Sequence, residues 1–314
     1  MAEEYGGLRS NLGGDGWTIL GIARISLVVA TSIFILPIQF FLVRFARKAW
    51  WPMAGFWHRT MCRILGIRVT ISGAELGHKG PVLYACNHIS WLDIIVLGGH
   101  LENASFIAKS EVAGWGFIGT LCKLHKTIFV NRERRSESAR QRDALTERVQ
   151  EGHSLILFPE GTSTDGMRVA QFKSALFSVA ERADEASDHN LVIQPVTLAY
   201  TELNGIPLVR SQKPWVAWLG DVELFGHLRQ LMGRARVEAV IEFHAPVTLA
   251  EAGSRKALAA YCEAEVRRGL ERAHRAELKM GPQHAALPAL GPALGPALGK
   301  EVIEAPADLT IGTA

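Results

Sequence analysis

Three short stretches of this chain combine residue types and spacing that suit chemistry. In VLYACNHISWLDIIVLGG, residues 82–99, an apolar strand pattern meets an apolar helical pattern, and the joint carries Asn87, His88, Ser90 and Asp93. Residues five apart in a regular helix are rotated by roughly 140° from each other. His88 and Asp93 therefore meet only if His88 sits in the joint and Asp93 in the first helical turns. A carboxylate that accepts from one imidazole nitrogen fixes the tautomer and raises the basicity of the other, which turns a histidine into a general base. A helix cap beside an incidental histidine accounts for the same residues. In LILFPEGTSTDG, residues 155–166, an apolar run ends at Phe158 and Pro159, and Glu160, Gly161, Thr162 and Ser163 follow. Ligands of α/β sheets bind at that end of a strand. Gly161 permits close backbone approach, while Glu160 and the hydroxyls suit a polyol or an amide dipole. A plain turn explains the small residues but not the glutamate. In TIFVNRERR, residues 127–135, Arg132 stands at a strand end, where a guanidinium can bind phosphate bidentately. Arg134 and Arg135 read as a solvated basic rim.

These stretches need a scaffold, and the pattern from residue 68 onward supplies one. Short β-branched or apolar runs (RVTISG, PVLYACN, ASFIAK, TIFVN, SLILFP, LVIQPVTLAY, PWVAWLG, VEAVIEF) alternate with helical patterns over residues 91–100, 116–124, 136–151, 171–182, 227–233 and 255–275. Such alternation predicts an α/β fold with a mixed, partly parallel sheet flanked by helices.

Ahead of it, ISLVVATSIFILPIQFFLV, residues 25–43, runs nineteen residues without a charge, long enough to span or deeply enter a bilayer. Arg44, Arg47 and Lys48 follow it, and Trp50 and Trp51 supply interfacial aromatics, so what comes next is expected on the cytoplasmic side. Pro37 and Gln39 fit a bent helix, or a helical pair with AGFWHRTMCRILG that dips into one leaflet; a buried core helix is the competing reading. The apolar content of 48% suits a sizeable core. A mean hydropathy of +0.12 fits membrane attachment. A net charge of +3 gives no argument for nucleic acid, and four cysteines without CxxC or framework spacing fit a reduced compartment. The PALGPALGPALG repeat, residues 288–299, cannot sustain a helix and reads as a flexible extension.

Taken in order, NHISWLD, IFVNR, FPEGTS and VIQPV resemble the four motif blocks of the glycerolipid acyltransferases, the 1-acyl-glycerol-3-phosphate acyltransferase family. The H-x4-D box alone is weakly specific; four ordered blocks behind a membrane segment are strongly so. The resemblance implies that His88 is the general base and Asp93 its orienter. It implies that Arg132, Glu160, Gly161 and Thr162 bind the acceptor's head group, with Lys109 of FIAKSEV as a second phosphate contact. The expected division is a disordered N-terminus over residues 1–15, a membrane-anchoring helical segment over 16–66, the catalytic domain over 67–278 and a flexible tail over 279–314.

The same resemblance implies acyl transfer from acyl-CoA or acyl-carrier protein, as co-substrate, to the free hydroxyl of a lysolipid. No metal or other cofactor is expected. The expected partner is membrane lipid, and the expected location is a bacterial inner membrane with the catalytic domain facing the cytoplasm. The first-placed acceptor is 1-acyl-glycerol-3-phosphate, giving phosphatidic acid. Two departures, Ser163 where the third block often has Arg and Ala175 where phosphate-acceptor members commonly have Gly, weaken that choice. GTSTDGMRVAQFKS also resembles bacterial members that acylate lyso-ornithine lipid. A non-catalytic lipid-binding protein of the same fold is the alternative from another class. GWGFIG, residues 114–119, matches G-x-G-x-x-G literally, yet it does not open the helix after a strand in the required way, and no strand-end acidic residue lies about twenty residues on. The sequence contains neither H-E-x-x-H nor a G-x-S-x-G elbow.

Overall fold

The computed structural model describes residues 18–46, 49–73, 80–130, 138–186, 191–219, 223–233 and 236–275; the side chains within 138–143 fall outside that description. The expected N-terminal and C-terminal extensions, residues 1–15 and 279–314, lie outside the described residues, as does Arg132. Two helices come first, α1 (Ile19–Phe45) and α2 (Trp50–Leu65). There follow β1 (Ile67–Gly73), β2 (Val82–Cys86), α3 (Leu92–His100), β3 (Ala104–Lys109), α4 (Gly116–Leu124), β4 (Ile128–Val130), α5 (Ser138–Gln150) and β5 (Ser154–Leu157). The second half holds α6 (Ser178–Ala186), β6 (Val192–Leu203), β7 (Ile206–Pro207), α7 (Leu224–Met232), β8 (Val237–Phe243), α8 (Leu249–Ala252) and α9 (Arg255–His274).

The strands form one sheet in the order β1-β8-β6-β2-β5-β3-β4, with β7 pairing off β6. Strands β6, β2, β5, β3 and β4 are mutually parallel; β8 is antiparallel to β6 and carries β1 parallel to itself. The sheet is mixed and mostly parallel, as its alternating pattern predicts. One consequence matters for function: the C-terminal ends of β2, β5, β3 and β4 lie along one edge.

Alternation along β6 sorts its side chains between two cores. Val196, Leu198 and Tyr200 join the face covered by α2, α3 and α7. Ile193 and Ala199 join the face covered by α5, α6 and α9. Leu92 and Leu97 of α3 are fully buried on the first face. Truncating either to alanine would cost about 2–5 kcal/mol. The α2–α3 contact is close because Gly98 offers no side chain: a Cβ there would lie 2.8 Å from His58 Nε2.

Helix α1 is long and apolar enough to cross a membrane. Its buried positions Gly21, Ser32, Ile35 and Gln39, with Ile25 and Val28 packed on the core, recur every three or four residues. Polar groups on this stripe bond to the protein: Gln39 Nε2 donates to the Leu124 carbonyl, and Trp57 Nε1 of α2 donates to Ser32 Oγ. The opposite face exposes Ile33, Phe34, Phe40 and Phe41. A soluble amphipathic helix keeps large apolar side chains off its outward face, whereas α1 carries them on both sides.

Two expected elements differ. PWVAWLG is not a strand: a 3-10 helix, Arg210–Trp215, precedes a turn in which the amides of Val216 and Ala217 both donate to the Lys213 carbonyl. The buried Lys213 ammonium donates to the Tyr200 carbonyl and holds that turn in place. The helix expected from residue 171 starts late, as a 3-10 turn over Ser174–Phe177 leading into α6. Ahead of that turn, Ala170 N donates to Glu160 Oε2 and Phe172 N to Glu263 Oε2.

Candidate active site

The joint after β2 is built so that the backbone leaves the sheet while a side chain stays. Asn87 Nδ2 donates to the Leu198 carbonyl at 2.9 Å, and Leu198 N donates to Asn87 Oδ1 at 2.8 Å. The amide thereby continues the β2–β6 ladder by one rung. Residues 87–90 are then free of helical geometry, and α3 begins at Leu92. His88 lies in the joint and Asp93 in the first turn, which is the arrangement the spacing requires.

His88 Nδ1 lies 2.8 Å from Asp93 Oδ2. The same oxygen accepts from the amides of Ile89 at 2.6 Å and Ser90 at 3.0 Å. Asp93 is fully buried, and its other oxygen, Oδ1, accepts from the Tyr200 hydroxyl at 2.8 Å. One carboxylate thus organises the loop and holds the imidazole. With Asp93 as the acceptor, Nδ1 carries the proton and Nε2 keeps its lone pair. The His88 side chain is 20% exposed, so the site is open to a substrate. Phe158 stacks on the ring, with centroids 4.3 Å apart and planes inclined by 22°, which limits its rotation.

Glu160, expected at the acceptor's head group, stands behind the histidine segment. Its carboxylate is buried, and its two oxygens accept from the amides of His88 and Ala170, each at 2.7 Å. It braces the backbone that carries the histidine. Burial pushes its carboxyl up to about 7, against the pull of the two amide donors. Gly161 has φ 74°, where glycine is favoured, and its amide donates to the Phe158 carbonyl at 3.1 Å in a turn. That amide is therefore engaged and does not face an oxyanion, while Thr162 beside it is exposed.

The rest of the loop is tied to the His88 segment. Thr164 donates from both N and Oγ1 to the His88 carbonyl, at 2.9 and 3.2 Å. Ser163 Oγ donates to the Trp218 carbonyl, and Trp218 N donates to the Ile89 carbonyl at 3.0 Å. Gly166 is required for this close approach, as a Cβ would stand 3.0 Å from Ile89 Cδ1. Lys109 ends β3 on the same sheet edge, two strands from β2, with an exposed side chain.

Sequence reasoning did not single out Tyr200 or Trp218. Tyr200 had a signal: it follows Val196 and Leu198 at strand alternation, which puts a phenol at the end of an apolar strand face. Trp218 had none, because its place depends on a long-range turn.

Comparisons with known proteins give the family and the fold. Residues 68–199 match the family model described as Acyltransferase. A lyso-ornithine lipid O-acyltransferase of Brucella abortus is 38% identical over 261 residues, covering 81% of this chain and 97% of that protein. A 1-acyl-sn-glycerol-3-phosphate acyltransferase of Neisseria gonorrhoeae is 30% identical over 200 residues, covering 62% of this chain and 73% of that protein. The crystal structure of the 1-acyl-sn-glycerophosphate acyltransferase of Thermotoga maritima superposes with a TM-score of 0.59 over 84% of this chain and 96% of that one, at 20% identity, and so shares the fold.

Proposed function

This chain belongs to the acyltransferase family and is an O-acyltransferase of the lysolipid type, and we propose that its acceptor is lyso-ornithine lipid and its product ornithine lipid. The observation that carries the acceptor is 38% identity to the Brucella abortus enzyme across 97% of that enzyme's length. The site gives secondary support. Ser163, placed where a phosphate-binding cation would help, uses its hydroxyl to hold the Trp218 carbonyl. A second reading, 1-acyl-glycerol-3-phosphate as acceptor, draws on the 30% identity to the Neisseria gonorrhoeae enzyme.

The chemistry follows from the free nitrogen. His88 Nε2 takes the proton of the acceptor hydroxyl as its oxygen attacks the thioester carbonyl of acyl-carrier protein or acyl-CoA. Asp93 stabilises the imidazolium that forms. The attack forms the ester C–O bond; collapse of the tetrahedral species re-forms the carbonyl and breaks the C–S bond, and the proton passes from Nε2 to the departing thiolate. Among the expected contacts, Thr162 and Lys109 remain the exposed groups on this edge for the head group, with Arg132 a further assignment outside the described residues.

In this reading helix α1 anchors the site at the bilayer, and the basic residues after it, Arg44, Arg47 and Lys48, support a catalytic domain on the cytoplasmic side. The deciding experiment offers purified protein both lysolipids, each with acyl-carrier protein and acyl-CoA donors. We expect kcat/KM for lyso-ornithine lipid to exceed that for 1-acyl-glycerol-3-phosphate by about tenfold, a difference near 1.4 kcal/mol. A preference for the phosphate acceptor would overturn the assignment.

A further inference from the structure

We propose that Tyr200 is a positioning residue of this site: its phenol locks Asp93 in the rotamer that presents Oδ2 to His88 and draws negative charge toward Oδ1, which sets the basicity of the imidazole. The inference rests on His88 acting as the general base and adds a group 107 residues away from Asp93.

Four observations carry it. First, the division of labour on Asp93 is complete, with Oδ2 accepting from His88 and two amides and Oδ1 accepting from the phenol at 2.8 Å. Second, Tyr200 and Asp93 are both buried, so water does not replace a lost donor. Third, the phenol is held from behind. Strand β6 grips Asn87 through Leu198 and reaches Asp93 through Tyr200 on the same face, so one strand registers the loop and the carboxylate together. A register shift in the β6–β8 ladder falls between Tyr200 and Glu202, and Lys213 Nζ pins the Tyr200 carbonyl at 3.1 Å. Such irregularities re-aim a side chain at a functional site. Fourth, the phenol stays a donor, because burial and the neighbouring Asp93 carboxylate hold its pKa well above the usual range.

Lys213 of the 3-10 helix Arg210–Trp215, on the Tyr200 carbonyl, is one of the charged or titratable groups around the pair. Cys62 belongs to α2, Cys86 to β2 and Glu160 to the turn after β5, while His88 is the partner itself. Burial raises both thiols, Cys62 to about 12, so they stay neutral. Tyr200 is thus the neutral donor whose removal changes how Asp93 presents its charge.

The test reads His88 directly and does not depend on which lysolipid is used. The imidazole of the full-length protein in detergent is titrated by NMR, with His88→Gln assigning its signal, beside Tyr200→Phe and a protein carrying 3,5-difluorotyrosine at position 200. Removing the donor concentrates charge on Oδ2 and favours the imidazolium. For Tyr200→Phe we expect the His88 midpoint to rise by about half a unit to one unit. We expect kcat to fall about tenfold or more, with both KM values within about twofold. The fluorinated phenol, a stronger donor of nearly the same shape, moves the midpoint the other way and keeps the test decisive if Tyr200→Phe fails to fold. An unmoved midpoint, or shifts of the same sign in the two variants, assigns Tyr200 to packing and overturns the proposal. A wild-type protein that acylates neither lysolipid would defeat the functional reading while the titration still decides the role of Tyr200.

Discussion

Strand β6 serves two histidine networks, one on each face, and only one of the two leaves its imidazole accessible. Toward α3, Tyr200 meets Asp93, which holds His88. Toward α9, Thr197 Oγ1 lies 2.8 Å from His244 Nε2, and His244 Nδ1 lies 3.9 Å from Glu265. Both sets combine a hydroxyl, an imidazole and a carboxylate. In the second, Thr197 donates to the Val266 carbonyl at 3.0 Å, so its oxygen accepts the Nε2 proton of His244. That is the wrong tautomer for a base at Nε2. The His244 side chain is 3% exposed against 20% for His88, and burial pushes His244 down to about 3. Gly269 closes the space above it, since a Cβ there would stand 2.3 Å from Thr197 Oγ1. Tautomer and access, more than residue types, separate a catalytic network from a packing one.

That contrast can be broken most directly at the histidines. His88→Gln should lower turnover by about 10²–10⁴-fold, the range of a lost general base, while the protein still folds. His244→Gln should leave kcat per folded molecule within about twofold and lower stability by about 1–3 kcal/mol, because Thr197 loses a buried partner. Steady-state kinetics beside urea melts separate the two. Near-equal activity losses in both variants would erase the distinction drawn here.

Asp93→Asn sharpens it at the next level. The amide can offer N–H to His88 and so favours the opposite tautomer; a loss of about 10²–10⁴-fold in kcat is expected, with acceptor KM nearly unchanged. On the packing side, Gly269→Ala should cost about 1–3 kcal/mol of stability through overpacking against Thr197 and Glu242, with kcat preserved. A calorimetric scan and one activity assay suffice for this pair.

The smallest effect is graded by pH. Glu160 titrates at about 7 in the fold against 4.5 in a solvated chain. The folded state therefore holds this proton longer, and its stabilising contribution is full below about 4.5 and fades as pH rises through about 7. Melts of the wild type should show that decline, and Glu160→Gln should flatten it. Equal slopes in the two proteins would mean that Glu160 ionises as freely as a surface carboxylate.

Local sequence carried much of this outcome. The 88/93 spacing forced His88 into the joint because helical rotation forbids any other meeting, and the alternation of strand and helix placed the motif ends on one sheet edge. The apolar run of α1 was legible from composition alone. Other features depended on which strands became neighbours, which periodicity does not encode. That the Glu160 carboxylate meets the His88 amide depended on β5 lying beside β2. PWVAWLG read as a strand until Lys213 was drawn inward to the Tyr200 carbonyl. Tyr200 was an ordinary strand residue until the β2–β6 register set it against Asp93. The sequence by itself determined that His88 and Asp93 meet at the joint after β2, and the sheet edge on which they stand. The tertiary structure decided what braces them, because hydrogen bonds between distant segments follow from strand order and register.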